Sequence, residues 1–247
     1  MNASLSLIAS LPMYDWPEQR NAHDQFWHLL QSKFIECGIV CPSSLLHDED
    51  DAHWLNSNLL VGQTCGYPFA TTLKNKVSYL ATPVYDVTGC QGPYYSSALI
   101  AHKNNSIDFS ALNECRFVFN GYSSLSGYRC VSAMLGEPEE VFVTLHKSGS
   151  HRASAKAVAE GEADIAAIDA VCWHLLQMHD PEIAKDLQVI KWTPQRPSLP
   201  FITSLKTPNK TRNKIQKTLK NFGSFPALNI KGFEIIDTTE YDALAQL

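Results

Sequence analysis

RFVFNGYSSLSGYRCVSAML, residues 116–135, passes from an apolar run through a hydroxyl-rich turn into a helical pattern. Arg116 to Asn120 has the apolar character of a short buried strand. Cys130, Val131, Met134 and Leu135 recur at the spacing that places them on one side of a helix. The segment between them carries Ser123, Ser124 and Ser126 beside Gly127. Free amide N–H groups and the positive end of the helix dipole meet such a turn, so the hydroxyls and amides together form an uncharged cradle for an oxyanion. Helix capping by one serine is the simpler use of the same residues.

Working outward, strand candidates alternate with helical patterns, as in α/β proteins with largely parallel sheets. Leu5 to Leu11 reads as a first strand, and Pro17 opens a helix with Phe26, Leu30 and Phe34 on one face that ends before Gly38. Leu59 to Gly62 and Val77 to Thr82 are strands that run into polar turns, and Tyr94 to His102 reads as one extended strand. After residues 116–135, Val141 to Leu145 is expected as a strand. Ser150 caps a small-residue helix closed by Gly161, and Ile165 to Ile168 ends at Asp169 before a helix from Val171. Leu187 to Trp192 and Phe201 to Ser204 complete the strands, with Pro194 to Pro200 as a linker. Thr207-Pro208 opens a basic helix with Ile215, Leu219 and Phe222 inward. The two successive cycles and the late return at Pro200-Phe201 predict one lobe from residues 1–97 and 199–247 and a second from 98–198, joined by two hinge connections. Polar residues cluster just past strand ends, where open α/β sheets place ligands.

The chain has 247 residues, 45% of them apolar, a net charge of −5 and a pI near 6.0. That supports packed cores and argues against nucleic acid or an anionic membrane as the main partner, since either favours a broad basic surface. Every apolar run is interrupted before the roughly 18 residues a membrane span needs, so no membrane insertion is expected. Seven scattered cysteines fit reduced, buried thiols better than a disulfide framework. The opening residues lack a positive n-region and a cleavage site, which points to the cytoplasm as the chain is written, and to the periplasm if an export signal has been removed.

Gly62-Gln63-Thr64-Cys65-Gly66-Tyr67-Pro68-Phe69, Ala81-Thr82-Pro83-Val84-Tyr85, Asn120-Gly121 with Ser126-Gly127-Tyr128, Gly149-Ser150-His151, Gly161 to Asp169 and Leu199-Pro200-Phe201 follow in order along the chain. As an ordered series they resemble the phosphate/phosphonate substrate-binding proteins of ABC transporters, from the first strand to about Ser204. The resemblance implies a type II periplasmic-binding-protein fold: two α/β lobes, a hinge, and an interlobe cleft that closes on a small oxyanion without changing it. It also implies an ABC-transporter permease as partner and no cofactor. The family's Ser-Thr-Ser-Gly anion loop falls on Ser124-Leu125-Ser126-Gly127, where Leu125 departs by removing one hydroxyl. The family's histidine matches His151, its acidic strand-end residue matches Asp169, and its tyrosine matches Tyr85, with Tyr14 as a second candidate. A His151 imidazole at a helix start can donate to an anion, and Asp169 can accept a proton from a monoprotonated phosphonate or a ligand amine. Their local alternatives are a first-turn surface residue and an N-cap. Gln63 and Thr64 end a strand and could face the cleft or simply stabilise a turn.

Other constellations in the sequence point elsewhere. Cys65 could act as a nucleophile if His151 met it, but buried inert cysteine is commoner. Cys37, Cys41, His47 and His53 lack the spacing of a standard zinc site, so no metal is expected. Phosphate-binding glycine signatures of nucleotide sites are missing. A cytoplasmic enzyme on the same fold, such as a menaquinone-pathway enzyme, is the main alternative, because fold alone does not separate binding from catalysis.

Overall fold

The computed structural model describes residues 7–48 and 51–247, so the expected start of the first strand at Leu5 lies outside the described residues. The chain divides into two compact units. The first comprises the chain up to Asp86 together with Pro197–Ala245, and the second is built from Val87–Arg196.

The first unit contains a five-stranded sheet in the order Ile8–Ser10, Leu59–Gln63, Phe201–Ser204, Val77–Tyr85, Ile230–Glu234. Ile8–Ser10 runs parallel to Leu59–Gln63, and Phe201–Ser204 is antiparallel to both of its neighbours. Leu59–Gln63 and Val77–Tyr85 therefore point the same way. Pro17 opens a 3₁₀ turn that leads into the α-helix Arg20–Glu36. Phe26, Leu30 and Phe34 are fully buried along one face of that helix, as their four-residue spacing requires. Gly38 follows the helix end with a φ of 70°, a conformation that glycine adopts without a steric penalty. The basic helix spans Asn209–Lys220 with Ile215 and Leu219 buried. Phe222, beyond its end, meets Phe26 edge-on at 5.2 Å.

The second unit's sheet has the order Leu187–Trp192, Ser97–His102, Ile165–Asp169, Arg116–Phe119, Thr144–Lys147. Arg116–Phe119 is parallel to both Ile165–Asp169 and Thr144–Lys147, whereas Ser97–His102 is antiparallel to its neighbours. Ile165–Asp169 is buried throughout, and its alanines let helices approach closely. Phe117 stacks on Phe142 at 4.7 Å and on Phe119 at 6.0 Å within a core that also includes Leu99, Val131 and Ile165.

Two expected strands are corrected. Tyr94 to His102 is not one strand: Tyr94–Tyr95 pairs with Cys90–Gln91 in a hairpin, and the sheet strand starts at Ser97. Val141 to Leu145 divides into a short helix, Pro138–Val141, and a strand, Thr144–Lys147. Pro138 at the first helical position with Glu139 and Glu140 in the first turn favours helix over strand there. Near the C-terminus, Ile230–Glu234 adds an edge strand that the sequence reading did not anticipate.

Truncating Phe117, which is 1% exposed, removes a stacked ring from the middle of this core. Phe117→Ala is expected to cost about 3–5 kcal/mol of stability. Urea unfolding of the variant beside the parent checks this, and a loss below about 1 kcal/mol would contradict the packing described.

Candidate anion-binding site

In the second unit, parallel register brings three strand ends to the same edge of the sheet. Arg116–Phe119 leads to Ser124 and Ser126, Thr144–Lys147 leads to His151, and Ile165–Asp169 ends on Asp169. Each side chain lies just beyond a strand's carboxyl end, where helix starts offer free N–H groups.

Ser124 has extended backbone angles (φ −73°, ψ 123°), and its Oγ accepts from the Gly127 amide at 3.0 Å. The turn that follows, Leu125–Arg129, is π-helical before it tightens into the α-helix Cys130–Leu135. Wide turns of this kind are rare and gather at functional sites. Leu125 is fully buried, so the position where the family pattern carries a hydroxyl points into the core here. Ser126 Oγ lies 2.9 Å from His151 Nε2 and 3.5 Å from Ser124 Oγ. Gly127 is required by space: a methyl there would overlap Asn120 Oδ1 and lie 2.9 Å from Asn120 Cγ. Among the described residues, Asn120 Oδ1 is itself buried without a hydrogen-bond partner.

His151 begins the helix His151–Ala159, whose cap, Ser150 Oγ, accepts from the Ala153 amide at 3.1 Å. Burial pushes the imidazole down to about 4, against a smaller opposing effect of the Ala167 carbonyl, so the ring is neutral at pH 7. Nδ1 is buried. Asp169 is buried, and its Oδ1 accepts from the Val171 and Cys172 amides at 2.8 and 3.4 Å, the geometry of a helix cap. Burial, reinforced by that carboxylate, holds the Cys90 and Cys172 thiols well above the ordinary cysteine range. Ser123 is exposed and stands outside the Ser124–Ser126–His151 group. Ser97, which the sequence reading passed over, is the strand partner of Asp169, and its fully buried Oγ has no hydrogen-bond partner among the described residues. Nothing local distinguishes it from an ordinary strand serine.

In the first unit, Gln63 Nε2 donates to Tyr85 Oη at 3.0 Å and to the Leu199 carbonyl at 3.3 Å. Tyr14 meets the Tyr85 ring edge-on at 5.3 Å. Thr64 is fully buried, and its amide donates to the Pro200 carbonyl at 3.1 Å. Tyr14, Gln63 and Tyr85 thus form one group, far apart in sequence and joined by three parallel strands that end on the same side.

Residues 60–241 match the family described as the phosphonate periplasmic substrate-binding proteins of ABC transporters. The chain belongs to this family. Its fold is the two-lobed periplasmic-binding-protein fold, shared with solved structures of low sequence identity. PhnD1 of Prochlorococcus marinus in complex with methylphosphonate is 15% identical with a TM-score of 0.75, over 98% of this chain and 96% of that one. A binding-protein component of a Pseudomonas aeruginosa ABC phosphonate transporter is 18% identical with a TM-score of 0.73, over 96% and 83%. A Xanthomonas citri protein bound to ATP is 16% identical with a TM-score of 0.72, over 98% of both chains. No curated protein sequence matches the chain at a significant level.

The rival constellations find other roles. Cys65 stands as the N-cap residue of the short helix Gly66–Ala70. His47 sits between Asp15 and Asp24, at 2.6 and 3.0 Å, and His53 lies against Asp48. Among the described residues no group of histidine, cysteine or carboxylate side chains is arranged to hold a metal, and no helix is long and apolar enough to cross a membrane.

Two outcomes follow from the site geometry. Gly127→Ala must displace Asn120 and is expected to cost about 1–3 kcal/mol, which chemical denaturation measures. His151 has a folded pKa near 4 against an ordinary value of 6.5. Between these pH values the unfolded chain takes up a proton that the folded chain refuses, so stability present above pH 6.5 declines as pH falls toward 4, by up to about 1.4 kcal/mol per pH unit. His151→Gln removes this contribution, and its melting temperature should fall less between pH 7 and pH 5 than that of the parent.

Proposed function

We propose that this protein is a non-catalytic receptor for a small phosphorus oxyanion, either phosphate, phosphite or a phosphonate. It delivers that ligand to an ABC-transporter permease. The observation that carries the reading is the neutral donor group formed by Ser124, Ser126 and His151 at two adjacent helix starts. No lysine or arginine occurs between Asn120 and Tyr128. Selectivity among anions then comes from hydrogen-bond geometry rather than from net charge. Asp169 accepts the proton of a monoprotonated ligand, a choice that suits phosphorus oxyacids over fully ionised sulfate. Gln63, Thr64, Tyr85 and Tyr14 are the candidate ligand-binding residues of the first unit, whereas Ser123 is exposed and stands apart from the serine–histidine group.

Catalysis is the weaker reading of the same atoms. A serine hydroxyl 2.9 Å from an imidazole has the separation of a nucleophile and base. Such pairs act when a carboxylate or similar group orients the base, whereas the group recorded behind His151 is the Ala167 backbone carbonyl. The depressed basicity of His151 also weakens it as a general base near neutral pH.

Calorimetry against phosphate, phosphite, methylphosphonate and sulfate, with phosphorus NMR of the same mixtures, tests the proposal. Reversible binding without product is expected. Product formation without reversible anion affinity would establish the enzyme instead. Each hydrogen bond lost to a charged ligand costs about 1.5–3 kcal/mol, roughly tenfold or more in affinity. Ser126→Ala should therefore weaken binding at least tenfold while the protein stays folded. Unchanged affinity in the Ser124→Ala, Ser126→Ala double variant would move the anion site elsewhere.

A further inference from the structure

From Leu187 to Phe233 the chain contains no aspartate or glutamate, although the protein as a whole is acidic with a net charge of −5. Within that span Lys206, Lys210, Arg212, Lys214, Lys217 and Lys220 fall on or beside the helix Asn209–Lys220. Lys210, Lys214, Lys217 and Lys220 recur at i, i+4, i+7 and i+10, which makes one stripe, and it lies opposite the buried Ile215 and Leu219. Arg212 is directed away from the stripe, donating to Ser78 Oγ at 2.9 Å and Asn209 Oδ1 at 2.8 Å. Lys214 is partly spent, since its Nζ donates to the Cys37 carbonyl. Lys206, Lys210, Lys217 and Lys220 are exposed.

A face that serves only to keep a helix wet normally mixes charges and forms pairs along the helix. Other exposed lysines of this protein do so. Lys74 pairs with Asp242 at 2.9 Å, Lys156 with Glu160 at 3.7 Å, Lys231 with Asp86 at 2.8 Å, and Lys185 with Glu182. Among the described residues, neither the three exposed lysines of the stripe, Lys210, Lys217 and Lys220, nor Lys206 just before the helix has an ion-pair partner. The neighbouring helix Arg20–Glu36 adds Lys33, whose Nζ lies 6.0 Å from the Phe222 ring, and two acids, Glu36 and Asp24, the latter held by His47 at 3.0 Å.

We propose that the exposed lysines of the stripe, Lys210, Lys217 and Lys220, together with Lys206 just before the helix, form a docking surface for an anionic phospholipid bilayer. The composition of the stripe favours a bilayer over a protein partner. Protein interfaces concentrate energy in aromatic and arginine anchors and deplete lysine at their centres, and this stripe has long flexible lysines with no aromatic anchor among them. Delocalised negative charge needs no such anchors, and each lysine near an anionic leaflet contributes about fivefold in affinity. Because the rest of the chain is acidic, attraction is confined to this side and the contact is oriented and salt-sensitive.

Co-sedimentation of the full chain with phosphatidylcholine vesicles, with and without phosphatidylglycerol, tests this at low and high salt. Binding to the anionic vesicles alone, lost at high salt, is expected. The Lys210→Gln, Lys217→Gln, Lys220→Gln variant should bind roughly a hundredfold more weakly. Its thermal melt and its calorimetric anion affinity should match the parent, so failure here is distinct from failure of the anion-receptor reading. No binding to anionic vesicles, or undiminished binding by the triple variant, overturns the proposal. Tighter association with soluble polyglutamate than with vesicles overturns it in favour of an acidic protein partner.

Discussion

Parallel pairing of Arg116–Phe119 with both Ile165–Asp169 and Thr144–Lys147 is the constraint on which the candidate site depends. Parallel neighbours need long crossover connections, and each crossover here begins at the same edge of the sheet with a turn and a helix start. Serine, histidine and aspartate from positions 124 to 169 are therefore delivered to one edge by backbone geometry before any side chain is chosen. An antiparallel arrangement of the same three strands would scatter those turns over both edges.

The chemistry at that edge is governed by burial without charge. Ser126 is 4% exposed and Asp169 2%, so unpaired donors there are costly and partners are strongly selected. His151 meets this condition by staying neutral, Asp169 by capping the helix Ala170–His179, and Ser124 by capping the turn after it. The ligand-binding uses proposed for Ser124 and Asp169 are compatible with their capping, because a hydroxyl or carboxylate oxygen that accepts one amide retains further capacity. The π turn and the close fit of Gly127 against Asn120 fix where the serines stand.

Much of the site was legible in sequence because its residues sit beside strong local signals. Ser124 precedes a helical apolar pattern, Ser150-His151 opens a small-residue helix, and Asp169 closes an apolar run. Tyr14, Gln63 and Tyr85 were also named, and the structure joins them. What local signals could not carry was selection among similar residues. Ser123 and Ser124 are adjacent serines, yet one is exposed and the other is hydrogen-bonded to Gly127, and Ser97 looks like any strand residue until its pairing with Asp169 is known. The short helix at Pro138–Val141 was missed because an apolar run resembles a strand when the proline and acids before it are given too little weight.

By itself the sequence determined the alternation of strands and helices, the positions of most turns, the ordered family pattern and the absence of a basic clamp in the serine loop. These follow from local periodicity, capping chemistry and side-chain identity, which act over a few residues. Tertiary structure alone decided strand order, the parallel register that gathers residues 124, 126, 151 and 169, the depressed basicity of His151 and the inward turn of Leu125. Those depend on which distant segments exclude water from one another, and that information belongs to the packed chain.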